Sequence, residues 1–325
     1  MQQAGLRLTL GLALTFGCVV ANAQTTVTWP AKPVKIIVIA SPGGLVDVAA
    51  RIIANHLAKT IPHSVVVENR PGGGGNIATD FVAKSAPDGH TLLSTGSNHA
   101  VNQTLLPNPG FDYVKDVAPV TMLGQGNMLL VGTSTLQANN VAELIELAKR
   151  NPRTISIGHG PIGTPGHVAS ELFASMAGLD LIVVAYKGIG SAVADIVSGQ
   201  VHLGIGALPA VQPLINGGRL KALAVTSEKR TPVMPNVPTV AESGVPGFDV
   251  ITWISLMTTG GTPAPVIDRI NTEIRTIMAL PEVREAFEKQ GTDVVTSTPA
   301  ELATYIKAEA TKWASVLKTV KVQAK

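Results

Sequence analysis

One pattern limits the folds open to this chain more than any other. A Val/Ile-rich run, a Gly/Pro-rich loop and an amphipathic stretch follow one another at 34–59 and again at 154–177. In the first copy VKIIVIA (34–40) reads as a buried strand, SPGG as the loop, and LVDVAARIIANHLAKT as a helix. Val48, Ile52, Ile53 and Leu57 recur in it at helical spacing. In the second copy TISIGH is the strand and GHGPIGTPGH (158–167) the loop. HVASELFASMAG is the helix, with Val168, Leu172, Phe173 and Met176 on one face. A strand that feeds a helix and then another strand builds a parallel sheet with crossover helices. Two such units predict an architectural duplication, although the residues themselves barely repeat.

The remaining segments fit that frame. SVVVENR (64–70) and HTLLST (90–95) read as strands, with NIATDFVAKSAPDG as the helix and turn between them. From about residue 125 a second series begins: NMLLVG as a strand, then NVAELIELAKRN as a helix capped by Asn140. LIVVAY, VHLGIGA and LKALAVT are further strands, and SAVADIVSGQ is a short helix ending at Gly199. The Pro-rich stretch 228–250 cannot hold regular structure for long and reads as an extended connection between two lobes. Beyond 264 the chain is helical. Val266, Ile267, Ile270, Ile274 and Ile277 mark one helix, PEVREAFEKQG a second, and Pro299 to Lys318 a third.

The N-terminus is read separately. Arg7 precedes the apolar run LTLGLALTFGCVV, which ends in Ala21-Asn22-Ala23, the layout of a secretory signal peptide cleaved after Ala23. The run is shorter than the ~20 residues of a spanning helix. The expected location is a bacterial periplasm. The one cysteine, Cys18, lies inside this leader, so disulfides, thiol catalysis and thiolate metal sites are excluded from the mature chain. Such a chain relies on its core, and about 300 residues suffice for two domains.

Charge excludes other classes. Lys+Arg number 25 and Asp+Glu 22, they are scattered, and no basic cluster is interleaved with aromatics, so nucleic acid is not an expected partner. No Walker loop is present. A dinucleotide fingerprint is not supported, and G-x-S-x-G is absent. SVLK (315–318) matches S-x-x-K only near the chain end. His159 and His167 have no carboxylate partner at metal-ligand spacing. No metal and no cofactor are expected.

Five segments, in order, carry a resemblance to a known family. They are VKIIVIASPGGLVDVAAR, VVVENRPGGGGNIATDFVAKSAPDGHTLL, GHGPIGTPGHVASELF, VVAYKGIGSAVADIVSGQV and GRLKALAVTSEKRTPVMPNVPTVAESGVPGF. Together they resemble the Bug family of extracytoplasmic solute receptors, the substrate-binding proteins of tripartite tricarboxylate transporters. The resemblance implies an α/β, two-lobed periplasmic-binding-protein-like (Venus flytrap) fold, each lobe a mostly parallel sheet flanked by helices. One lobe would comprise 24–124 and 251–325, the other 125–250. It also implies a monomer that binds a di- or tricarboxylate, an acidic amino acid or an aromatic acid between the lobes and hands it to membrane permease subunits. Family members often carry Ser or Thr where this chain has Val46, and Pro where it has Ala185. The first departure removes a hydroxyl near the ligand.

The physical chemistry of the loops agrees with that implication. Ligands of parallel α/β sheets sit beyond the carboxyl ends of strands. The first turn of a helix there offers unpaired N–H groups and partial positive charge. Either loop alone also fits a plain strand-to-helix turn, with Thr164 or Asp47 as an ordinary cap. With the resemblance, the expected ligand contacts are Ser41, Gly43, Gly44, Leu45 and Val46 in one loop and Gly160, Gly163, Thr164 and Gly166 in the other. Asp47 is expected as a helix-start or inter-loop hydrogen-bond partner, and His167 beside the ligand or on the helix surface. Asn98 is a candidate amide donor or a turn residue. Asp195 is a receptor for an ammonium group or an exposed helix acid. The competing class is a secreted enzyme acting on a small organic acid, against which the missing nucleophile and base constellations argue.

Overall fold

The computed structural model describes residues 29–106 and 109–319. The expected leader, residues 1–23, lies outside the described residues. In chain order the first half contains β1 (Val34–Val38), α1 (Leu45–Thr60), β2 (Val65–Asn69), α2 (Asn76–Ala83), β3 (Thr91–Gly96), α3 (Asn98–Leu105) and β4 (Val117–Gly126). The middle contains β5 (Met128–Thr133), α4 (Val141–Arg150), β6 (Ser156–His159), α5 (Pro165–Met176), β7 (Ile182–Ala185), α6 (Ile189–Ser198), β8 (Leu203–Ala207), α7 (Leu208–Asn216) and β9 (Leu220–Val225). The last part contains β10 (Thr252–Thr259), α8 (Ala264–Met278), α9 (Pro281–Glu288), β11 (Thr292–Val294) and α10 (Pro299–Thr319).

These strands form two sheets, one for each lobe. The first has the order β11-β4-β10-β3-β1-β2 and the second β7-β6-β8-β5-β9. Apart from β11, the two orders correspond strand for strand: β2-β1-β3-β10-β4 against β7-β6-β8-β5-β9. The repeated loop pattern of the sequence is therefore a repeated sheet plan. Each sheet is mixed, where the pattern of strands and helices suggested mostly parallel. β10 is antiparallel to β3 and β4, and β5 to β8 and β9. These two are the strands by which the chain enters each sheet from the other one.

Burial follows sequence periodicity with few exceptions. On α1 the buried positions are Asp47, Ala49, Ala50, Ile53, Ala54 and Leu57, while Val48 and Ile52 are half-buried. On α5 Val168, Leu172 and Phe173 are buried, but Met176 is 41% exposed, because α5 ends there and the chain turns away at Ala177–Gly178. Asn140 caps α4 as expected, its side chain accepting a hydrogen bond from the Glu143 N–H at 2.9 Å.

The chain crosses between the sheets at Asn127 and again over 226–251. Gly126 and Thr252, the last and first residues of the flanking strands, pair with each other. Buried Thr226 ties the two crossings together, its N–H and hydroxyl reaching the Met128 carbonyl at 3.0 and 3.1 Å. The hydroxyl also lies 2.6 Å from the Val250 carbonyl.

Candidate functional site

The two Gly/Pro-rich loops have one backbone design. In the first, Gly43 adopts φ +83° and Gly44 caps α1 with an extended backbone (φ −71°, ψ 158°). In the second, Gly163 adopts φ +82° and Thr164 caps α5 (φ −82°, ψ 156°). The Gly44 N–H bonds the Ser41 carbonyl at 3.3 Å, and the Thr164 N–H bonds the Pro161 carbonyl at 3.2 Å. Left-handed φ at the same step selects glycine in both. Gly44 has no side chain to cap with, and the Thr164 hydroxyl donates not to its helix but to the Pro161 carbonyl at 2.7 Å.

Each loop is held by the third residue of its helix. The Gly43 N–H donates to Asp47 Oδ2 at 2.9 Å, and the Gly163 N–H to His167 Nδ1 at 3.2 Å. Asp47 is 2% exposed and both its oxygens are engaged. Arg51 Nε donates to Oδ2 at 3.0 Å and Asn69 Nδ2 to Oδ1 at 2.8 Å, and Asn69 also holds the Ala40 carbonyl at 2.9 Å. Burial raises the cost of the Asp47 charge, but hydrogen bonds from Arg51, Gly43 and Asn69 outweigh it and hold the carboxyl below its ordinary value. Asp47 is a strut of the loop, not a free anion. His167 is 3% exposed and packs against His159, the rings tilted by 41° with centroids 4.4 Å apart. Burial, helped by His159, lowers His167 to about 4, so at neutral pH Nδ1 keeps the lone pair that accepts from Gly163.

With these bonds made, the main-chain N–H groups at Leu45 and Val46 and at Gly166 and His167 have no acceptor among the described residues. Ser41 and Gly43 are exposed; Gly44, Leu45, Val46, Thr164 and Gly166 are half-buried; Gly160 and Gly163 are buried. Packing dictates two of the second-loop glycines. A Cβ on Gly163 would lie 2.4 Å from Asn102 Oδ1, and one on Gly166 would lie 2.9 Å from the Ile205 carbonyl. Gly44 has room, its nearest neighbour being 3.4 Å from a Cβ placed there.

The lobes meet around a third glycine-rich loop, between β2 and α2. Gly72, Gly73, Gly74 and Gly75 all have positive φ. Asn98 Nδ2 and Asn102 Nδ2, one turn apart on α3, both donate to the Gly74 carbonyl, at 2.6 and 2.9 Å. Asn98 is thus a buried loop anchor. Across the gap, the Ile162 carbonyl is 3.3 Å from where a Gly74 Cβ would be. Beside this contact lies a cleft of about 470 Å³, walled by Gly73, Gly74 and Leu106 on one side and by Pro161, Ile162, Ala185, Tyr186 and Lys187 on the other. Its size falls within the ~300–1,000 Å³ of small-ligand pockets. None of the expected contact residues lines this cavity, although Pro161 and Ile162 lie between Gly160 and Gly163. The residues after β7 were missed. The signal was available: AYKGIG follows a strand and opens a helix, as the two named loops do.

Asp195 is occupied. Tyr186 Oη donates to its Oδ2 at 2.6 Å, and that bond, with burial, pushes the phenol up to about 12.

Comparison with known proteins bears on this geometry. The sequence profile of the tripartite tricarboxylate transporter family receptor (TctC) matches residues 49–322. The chain belongs to that family. BugT of Bordetella pertussis is 37% identical to this TctC-type chain over 293 residues, covering 90% of each protein. Among solved structures, Rpa4515 of R. palustris with adipate is 34% identical, with TM-score 0.84, covering 90% of this chain and 98% of that one. MatC of Rhodopseudomonas palustris with bound malate is 29% identical, with TM-score 0.81, covering 89% and 100%. The family and these neighbours are solute-binding receptors, and the two-lobed fold is theirs. Among the described residues no helix is long and apolar enough to cross a membrane.

Proposed function

We propose that this TctC-type receptor binds a small dicarboxylate that lacks an ammonium group and delivers it to the membrane subunits of a tripartite tricarboxylate transporter. The observation that carries this reading is the pair of congruent loops, each presenting unpaired main-chain N–H groups at a helix start. A carboxylate accepts such donors with roughly 1.5–3 kcal/mol per charge-assisted bond. Two loops suit two carboxylates, as in adipate and malate, the ligands of the two structural relatives. The cleft contributes the Lys187 ammonium and an apolar floor from Leu106 and Ile162. The Tyr186 hydroxyl engages one oxygen of Asp195, which makes that carboxylate less available to an amino group.

In this reading one lobe comprises 24–124 and 251–325 and the other 125–250, and the leader is removed after Ala23 in export to the periplasm. The receptor works as a monomer without chemistry. It closes about the paired crossings at Asn127 and 226–251, and the ligand, touching both lobes only when they are shut, shifts the population toward the closed form.

Titration calorimetry with adipate, malate and glutamate tests the proposal. The first two should bind with the ligand recovered unchanged, and glutamate should not. Gly44→Val fits its backbone but blocks the head of α1, and should weaken binding by roughly 100- to 10,000-fold, the equivalent of two lost charge-assisted hydrogen bonds. Unaltered affinity in Gly44→Val would remove the first loop from the site. Turnover of the acid would replace receptor by enzyme.

A further inference from the structure

A larger cavity lies behind α3, away from the cleft. Asn98 and Asn102 point one face of this helix at the glycine loop. The next face, His99 and Gln103, lines a space of about 770 Å³ under α10, whose Ile306, Lys307 and Ala310 form the opposite wall. The floor is apolar, from Val117, Pro119 and Met257. Two polar features stand out. Lys307 is exposed and, among the described residues, brings the only charged side chain to the lining. His99 is 3% exposed, and neither of its ring nitrogens makes a hydrogen bond. Its ring packs against Tyr113 in a T-shaped arrangement, with centroids 5.1 Å apart.

An imidazole in this position is expensive to leave unpaired, at about 1–3 kcal/mol per buried polar group. Burial lowers His99 to about 4, opposed by the Tyr113 main chain, which faces the ring without reaching hydrogen-bonding geometry, so the ring is neutral at pH 7. A neutral ring has one N–H and one lone pair. A hydroxyl, which both donates and accepts, can pair with either nitrogen. The walls demand an apolar body, and Lys307 favours an acidic group at the mouth.

We propose that this cavity is a second small-molecule site, which takes a compact aromatic acid bearing a hydroxyl group: the ring against Met257 and Ile306, the hydroxyl on His99 and the carboxylate toward Lys307.

The test uses 4-hydroxybenzoate as probe and benzoate as the analogue without the hydroxyl, on protein labelled with ¹⁵N-histidine. The His99 ring signals should shift saturably with 4-hydroxybenzoate, and benzoate should bind at least 10-fold more weakly. Lys307→Ala, at an exposed position that cannot threaten folding, should weaken both probes 3- to 10-fold. Ala310→Trp, which fills the cavity, should abolish both while adipate or malate binding in the cleft persists. Equal affinities for the two probes, or shifts confined to His159 and His167, would overturn the proposal. So would indifference to both Lys307→Ala and Ala310→Trp, or no His99 shift at millimolar probe.

Discussion

The congruence of the two loops permits an internal control that few proteins offer. Gly43→Ala and Gly163→Ala impose the same backbone penalty, since φ is +83° at one and +82° at the other. An L-residue in that region costs roughly 1–2 kcal/mol, offset by ~0.4–1 kcal/mol because alanine has less freedom in the unfolded chain. Gly43→Ala should therefore cost about 0–1.5 kcal/mol, because nothing lies within 4 Å of its new Cβ. Gly163→Ala adds a collision, with Asn102 Oδ1 2.4 Å from the Cβ. Asn102 cannot swing aside without giving up its bond to the Gly74 carbonyl, worth about 1 kcal/mol. Overpacking of this kind adds about 1–3 kcal/mol. Urea unfolding should thus rank Gly163→Ala some 2–4 kcal/mol below Gly43→Ala. If the lobes instead relieve the collision by parting, the difference moves into an increased radius of gyration and weaker ligand affinity. Asn102→Ala in the Gly163→Ala background should recover most of the excess, as the coupling term of a double-mutant cycle. Equal stability and equal radius for the two alanine variants would refute the reasoning, because the lobes would then not meet at Gly163 and Asn102.

Other expectations follow from single contacts. His167 and His99 fold with values near 4, below the ordinary 6.5, so the unfolded chain takes up protons first as pH falls. Their contribution is complete above pH 6.5 and is lost down to about pH 4; His167→Gln should flatten that part of a stability-versus-pH curve measured by thermal melts. Asp47→Ala strands the Gly43 N–H and the Arg51 and Asn69 side chains and should cost about 3–5 kcal/mol in urea unfolding. Tyr186→Phe uncovers Asp195, and calorimetry should then detect glutamate binding that the native receptor lacks. Thr226→Val removes the hydroxyl bridge between the two crossings and should cost about 1–3 kcal/mol, with hydrogen exchange accelerating at Met128 and Val250.

The parallel core of each lobe was legible because Val/Ile runs and Gly/Pro loops announce it. β10 was not, because TWISLMTT buries Ser255, Thr258 and Thr259 at under 4% exposure and so lacks a clean apolar run. β4 was hidden by Pro119, Gly124 and Gly126, and α7 by Pro209 and Pro213. α3, reading NHAVNQTL, looks like a polar turn, yet Asn98, His99 and Asn102 are buried because their amides and ring serve the glycine loop and the rear cavity. The role of Asp47 beside its loop could be anticipated from its place in the first helical turn, whereas His167 fitted the helix surface as well as its loop. That Tyr186 would cover Asp195 could not, since the pairing depends on how the turn after β7 is directed, which spacing alone does not specify.

The threading of the chain also sets an order of assembly. The five strands of the second sheet lie within one uninterrupted stretch, 128–225, whereas the first sheet needs β10 and β11, which come later. As the polypeptide emerges N-terminus first, the inner half can complete itself while the outer half still waits with β3 and β4 unpaired along the edges that β10 will fill. The part of the molecule begun first is the part finished last.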